Sequence, residues 1–220
     1  MRMRERGFAM AAAAGGIVVA LGAGGRSALA SGVDYVLDDG SGGAVIGPSA
    51  FDAWLTWGNV FDVAPGGELI NEVSVSFGTG FDVGREIKIT IFDDPTDDLD
   101  PRDAVALTVV DAVTRATTVD TFATYAIPET AVSGTFFVAV SLDARQGEAF
   151  ARQDQSTPGV RSWYFFDGVF NTDLGTQGLA VQNTQGPFPG TWMVRAGGVP
   201  TPGALGVLLI AGGMVVRRRR

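Results

Sequence analysis

Neither cysteine nor histidine occurs in this sequence. Without cysteine there is no disulfide framework, so stability must come from a packed core or from bound ions. Without histidine there is no Ser-His-Asp or Cys-His catalysis, no ordinary catalytic zinc site and no imidazole switch near neutral pH. Nucleophile-elbow, phosphate-loop and metalloprotease-helix patterns are missing as well. The central region has no convincing 3.6-residue apolar period, and no repeat of about 20 to 50 residues is visible. What remains is glycine (31 of 220 residues), acidic side chains and short apolar alternations, the composition of a turn-rich β protein.

Positive charge gathers at the two ends. Arg2, Arg4 and Arg6 open the chain, opposed only by Glu5, and Phe8 to Leu21 is apolar or small. Ala28-Leu29-Ala30 is a small-x-small cleavage site, so the order predicts a signal peptide over residues 1–30. Removal by signal peptidase would leave Ser31 first. The apolar run is Ala- and Gly-rich and short for a retained anchor, which wants about 20 well-apolar residues. Met3 separates Arg2 from Arg4, so a twin-arginine signal is not expected.

At the other end, Val199-Pro200-Thr201-Pro202-Gly203 precedes an apolar stretch, Ala204 to Val216, and then Arg217, Arg218, Arg219 and Arg220. As a helix at about 1.5 Å per residue, positions 203–216 cover roughly 21 Å, less than the ~30 Å hydrocarbon core. Four terminal arginines would stay cytoplasmic and hold the segment there. An ordinary membrane anchor is the plain alternative. The segment 199–220 resembles the PEP-CTERM sorting signal recognised by exosortases: Pro-x-Pro, a short apolar helix and a terminal Arg cluster. Thr201 stands where the commonest version carries Glu. The resemblance implies transient retention in the inner membrane, cleavage near Pro200-Thr201-Pro202 by an exosortase-like processing enzyme, and delivery to the cell envelope or an extracellular polysaccharide matrix, with exopolysaccharide as a candidate partner.

Residues 31–198 form the working domain. Eight basic against 23 acidic residues give it a net charge of −15, which repels phosphates and excludes nucleic acid as a partner. Val73, Val75 and Phe77, then Ile87, Ile89 and Ile91, then Phe136, Val138, Val140 and Leu142, alternate with polar or small residues. Less regular runs cover Ala104 to Val110, Phe122 to Ile127, Arg161 to Phe166 and Thr191 to Arg195, with Gly, Pro and Asp punctuation between them. Asp38 to Gly47 reads as a loop or irregular edge. Seven to nine short strands, each with one apolar face, predict an all-β fold, a β-sandwich of jelly-roll-like arrangement, with an immunoglobulin-like one as the alternative.

Two constellations carry candidate chemistry. Between Asp93 and Asp103 lie Asp93, Asp94, Asp97, Asp98, Asp100 and Asp103, in what reads as one loop. Calcium takes six to eight hard oxygen ligands, and the first five of these carboxylates are its candidate ligands, without EF-hand spacing. A solvated acidic turn is the plain alternative. The aromatics Trp54, Trp57, Trp163, Tyr164, Phe165, Phe166, Phe170 and Trp192 offer faces on which sugars stack. Trp163 and Phe165 share one strand face, Tyr164 and Phe166 the other; the plain alternative is that both faces are covered, by the partner sheet and by a loop, since large aromatics mostly serve cores. The reading that follows is an exported, non-enzymatic envelope or matrix protein. The alternatives are a calcium-dependent carbohydrate-binding module and a small glycoside-active enzyme, the latter needing two carboxyls about 5–9 Å apart across a cleft.

Overall fold

The structure, a computed structural model, describes residues 32–79 and 82–200. The expected signal peptide lies outside the described residues, as do Thr201, Pro202 and Arg217 to Arg220 of the tail.

Thirteen strands are described in chain order: β1 (Val33–Tyr35), β2 (Ala44–Ile46), β3 (Ala53–Asp62), β4 (Leu69–Val75), β5 (Glu86–Asp94), β6 (Val105–Val113), β7 (Ala123–Ala131), β8 (Thr135–Ala144), β9 (Ala151–Asp154), β10 (Ser162–Asp167), β11 (Leu179–Gln182), β12 (Thr191–Trp192) and β13 (Val194–Val199). The only helical segments among these residues are three 3-10 turns. The fold is all-β, and every strand pairing is antiparallel. One sheet has the order β1-β13-β4-β7, a second β11-β10-β3-β8-β5-β6, and a small third β12-β9-β2.

Strand periodicity explains the layering, because successive side chains point to opposite faces. Leu55, Trp57 and Phe61 of β3, Ile87, Ile89 and Ile91 of β5, and Phe136, Val138, Val140 and Leu142 of β8 leave the six-stranded sheet on one side. They meet Ile70, Val73 and Val75 of β4, Tyr125 and Ile127 of β7, and Val194 and Ala196 of β13 from the four-stranded sheet. All these side chains are buried, the Val, Leu, Ile and Phe among them each contributing about 1.5–3 kcal/mol of transfer free energy. The even positions of β3 face the other way. There Gly58 lets β8 approach, since a Cβ would sit 1.9 Å from the Val138 carbonyl oxygen.

That other face carries a second, smaller core: Val60, Phe92, Phe137, Ala139, Trp163 and Phe165, covered by Ala104 and Leu174. The segments before β6 and after β10 thus fold over the sheet. The exposed edge strand β7 carries Pro128, which lacks the N–H that would invite a further strand.

The chain changes sheets at Met193, between β12 and β13. Asn59, wholly buried on β3, holds that crossing. Its Nδ2 donates to the Trp192 carbonyl at 2.7 Å and to the Val194 carbonyl at 2.8 Å. Its Oδ1 accepts from Ser162 Oγ at 2.6 Å, and Ser162 Oγ accepts in turn from the Trp192 N–H at 3.3 Å. Thr191 to Arg195 read as one strand in sequence; the turn of the backbone at Met193 divides it, because a pattern of alternation does not record which sheet a strand joins. Similarly, β2 lies within the segment expected to be irregular, paired to β9.

The two ends of the described chain are neighbours. β1 pairs with β13, Val33 opposite Gly198 and Tyr35 opposite Ala196. Val199 closes β13 opposite Leu69, and Pro200, lacking a donor, follows outside the strand.

Candidate functional site

The acidic segment is partly strand. Asp93 and Asp94 end β5, and the remaining carboxylates lie in the connection to β6. Asp94 is buried, with Oδ1 accepting from the Thr96 N–H at 3.2 Å. Asp97 takes a left-handed backbone, φ 54°, as does Leu99, φ 69°. Its Oδ1 accepts from the Thr135 N–H at 2.6 Å. Gly134 makes this possible: it has φ 57°, and a Cβ there would sit 2.2 Å from Asp97 Oδ1.

Asp93 turns away, with only a long 3.4 Å contact from Ser133 Oγ. Asp100 caps the 3-10 turn Pro101–Asp103, accepting from the Arg102 N–H at 3.1 Å and pairing with its guanidinium. The Arg102 guanidinium holds the Asp100 carboxyl below the usual carboxylate range, against the opposing effect of burial. Of the five expected ligands, then, Asp97 and Asp100 serve the loop itself.

The structure instead brings together Asp94, Asp98 and Asp103, whose carboxylate oxygens lie within 4.8 Å of one another. Asp103 was part of the acidic run but not among the five expected ligands. Only the 3-10 turn, which returns it toward Asp94, reveals it. Two hydroxyls beside the cluster are each shared between two carboxylates. Thr96 Oγ1 lies 3.1 Å from Asp94 Oδ1 and 3.0 Å from Asp103 Oδ2. Thr135 Oγ1 lies 2.9 Å from Asp94 Oδ2 and 3.1 Å from Asp97 Oδ1. Each hydroxyl carries one proton, so two protons serve four carboxylate contacts. A hard cation is the chemistry that such an arrangement accommodates.

The two expected constellations meet on one face, but the loop is a cover for the aromatics. Trp163 Nε1 donates to the Leu99 carbonyl at 3.0 Å, and the Arg102 guanidinium lies 5.9 Å from the Trp163 ring. Trp163 and Phe165 are buried beneath it, and Trp57, Tyr164 and Trp192 are buried in the main core. Trp54, Phe166 and Phe170 stay half-exposed, Trp54 against Phe170 with ring centres 5.6 Å apart.

A third carboxylate group escaped the sequence reading, for its residues are far apart along the chain. Asp154 ends β9 and is wholly buried. It accepts from the N–H of Asp39 at 2.9 Å and of Ser156 at 2.7 Å, and from the hydroxyls of Ser156 and Thr157, each at 2.6 Å. Burial pushes its carboxyl up, but these donors outweigh it and hold the group well below the usual carboxylate range. The cluster fastens residues 38–41 to β9 and is structural.

Because the folded carboxyl of Asp154 titrates below its unfolded value near 3.8, its contribution is complete above that value, declines below it, and is lost once pH has fallen through the lower folded value. Asp154→Asn is expected to cost about 1–3 kcal/mol at neutral pH and to lessen the loss of stability below about pH 4. Urea unfolding of both proteins at pH 7 and pH 3 measures this; equal losses at the two values would contradict it.

No known protein family, curated protein or solved structure matches this chain, so the site is read from its own residues.

Proposed function

We propose that this chain is an exported, non-enzymatic protein of the cell envelope or extracellular matrix that acts through its surface. Signal peptidase removes residues 1–30, and the tail holds the chain in the inner membrane until an exosortase-like enzyme cuts near Pro200-Thr201-Pro202. The observation that carries the reading is the order of features at both ends of the sequence. The domain is compatible with trimming there: β1 and β13 pair beside each other, and cleavage beyond Val199 leaves their ladder untouched.

The fold proposed for the domain is a jelly roll. Its support is the strand order. Taking the eight strands β1, β3, β4, β5, β6, β7, β8 and β13 as first to eighth, one sheet runs first-eighth-third-sixth and the other second-seventh-fourth-fifth. That alternation of chain segments between two facing sheets is the double Greek key. Strands β9 to β12 are then an insertion before the last strand.

A second reading, a calcium-dependent carbohydrate-binding module, is favoured by Asp94, Asp98 and Asp103 and by hydroxyls that must each serve two carboxylates.

Replacing Arg217 to Arg220 with Ser tests the sorting step. In producing cells the variant is expected to lose inner-membrane retention and to be misrouted; distribution identical to wild type would overturn the reading. For calcium, an ion at about ten times its Kd adds about 1.4 kcal/mol, a rise in Tm of about 3–6 °C. Asp98→Asn with Asp103→Asn should abolish that rise. A wild-type Tm indifferent to chelator would end the calcium reading.

A further inference from the structure

The end of the six-stranded sheet, where β3 and β11 begin and β10 ends, bears an apolar groove of about 380 Å³. Phe51, Phe166 and Leu179 form its floor; Phe51 keeps 54% of its surface exposed and Leu179 47%. Asp52 and Asp167 stand at its rim, and no cationic side chain lines it. Each of these carboxylates uses one oxygen on a backbone N–H, Gln146 to Asp52 at 2.7 Å and Gly168 to Asp167 at 2.7 Å. Their second oxygens receive no hydrogen bond among the described residues and are left as acceptors at the groove's rim.

The rings continue beyond this groove. Phe51 meets Phe166 edge-on at 5.9 Å, Phe166 meets Tyr164 at 5.7 Å, and Tyr164 meets Phe188 at 6.4 Å. Phe188, 38% exposed, lines a second groove of about 180 Å³ with Val45, Pro48 and Gly147. The segment from Val45 to Ala53 borders both grooves and is held by the Gly147 N–H on the Pro48 carbonyl, 2.8 Å. Phe51 and Phe188 are thus exposed at the two ends of a row in which Phe166 is half-buried and Tyr164 buried, a layout for a repeating ligand rather than a single small molecule.

We propose that this surface binds an uncharged hexopyranose chain. Pyranose C–H faces suit the apolar floor, and sugar hydroxyls supply the donors that Asp52 and Asp167 lack. The carboxylates and the net charge of −15 over residues 31–198 disfavour uronate-rich or sulfated glycans. The proposal rests on the matrix reading for its biological setting, but the binding itself does not depend on export.

The test uses the full-length chain in calorimetric titrations with neutral gluco-, galacto- and mannohexaoses, an oligogalacturonate and trilysine. Binding of at least one neutral hexaose is expected, with none of the oligogalacturonate. Phe51→Ala should weaken that binding at least about tenfold, and Asp167→Asn several-fold, both with unchanged Tm; Val105→Ser, on the distant edge strand, should leave it intact. No binding of any neutral hexaose, or equal affinity in Phe51→Ala, would overturn the proposal. So would binding of trilysine alone, or Phe51-dependent dimers in sedimentation, which would assign the groove to a basic peptide or a second copy. Binding in vitro by a chain that cells fail to export would count against the matrix reading only.

Discussion

The three hydrogen bonds of Asn59 are the constraint on which the rest of the architecture depends. They are made at the point where the chain leaves the small sheet and enters the four-stranded one, and they fix Trp192, Val194 and Ser162 at once. A buried amide left without partners costs about 1–3 kcal/mol per orphaned group, so any other course of residues 192–194 is penalised on both strands. With β13 placed, β1 has an edge to pair with and β4 has its neighbour, and the main core can close between Trp57, Phe136 and Val194.

Closure of the main core leaves the opposite face of the six-stranded sheet to be covered, and the acidic loop does this. Its charge is turned outward at Asp98 and Asp103 while Leu99 and the backbone lie over Trp163. Stability and the candidate cation site are thus coupled in one segment. A cation bound by Asp94, Asp98 and Asp103 would also hold the cover on the outer core. The glycan surface lies at a different place, at the sheet's end, where covering segments leave Phe51, Phe166 and Leu179 partly exposed.

Much of the strand content was legible in sequence because alternation survives wherever one strand face is apolar, as in β5 and β8. Trp163 and Phe165 were correctly set on the face opposite Tyr164 and Phe166 by period alone. What covers each face was not legible, since that depends on loops whose path is fixed by long-range bonds such as Asp97 to Thr135. For the same reason the five carboxylates expected to act together divide, with Asp100 committed to Arg102 and Asp103 joining Asp94 and Asp98. Asp154 and Phe51 were missed because a single Asp and a single Phe carry no local signal; their partners come from segments far away in the chain.

The pairing of β1 with β13 brings the beginning and end of the domain to one place on the sheet. Trimming outside residues 33–199 would leave the β1–β13 ladder itself intact, which links the fold to the proposed export and release. Intact-mass measurement of the protein recovered from the envelope and matrix fractions of producing cells tests this most directly. The account predicts a species that starts at or near Ser31 and ends before Arg217; a chain running from Met1 to Arg220 in those fractions, or one confined to the inner membrane, would contradict it.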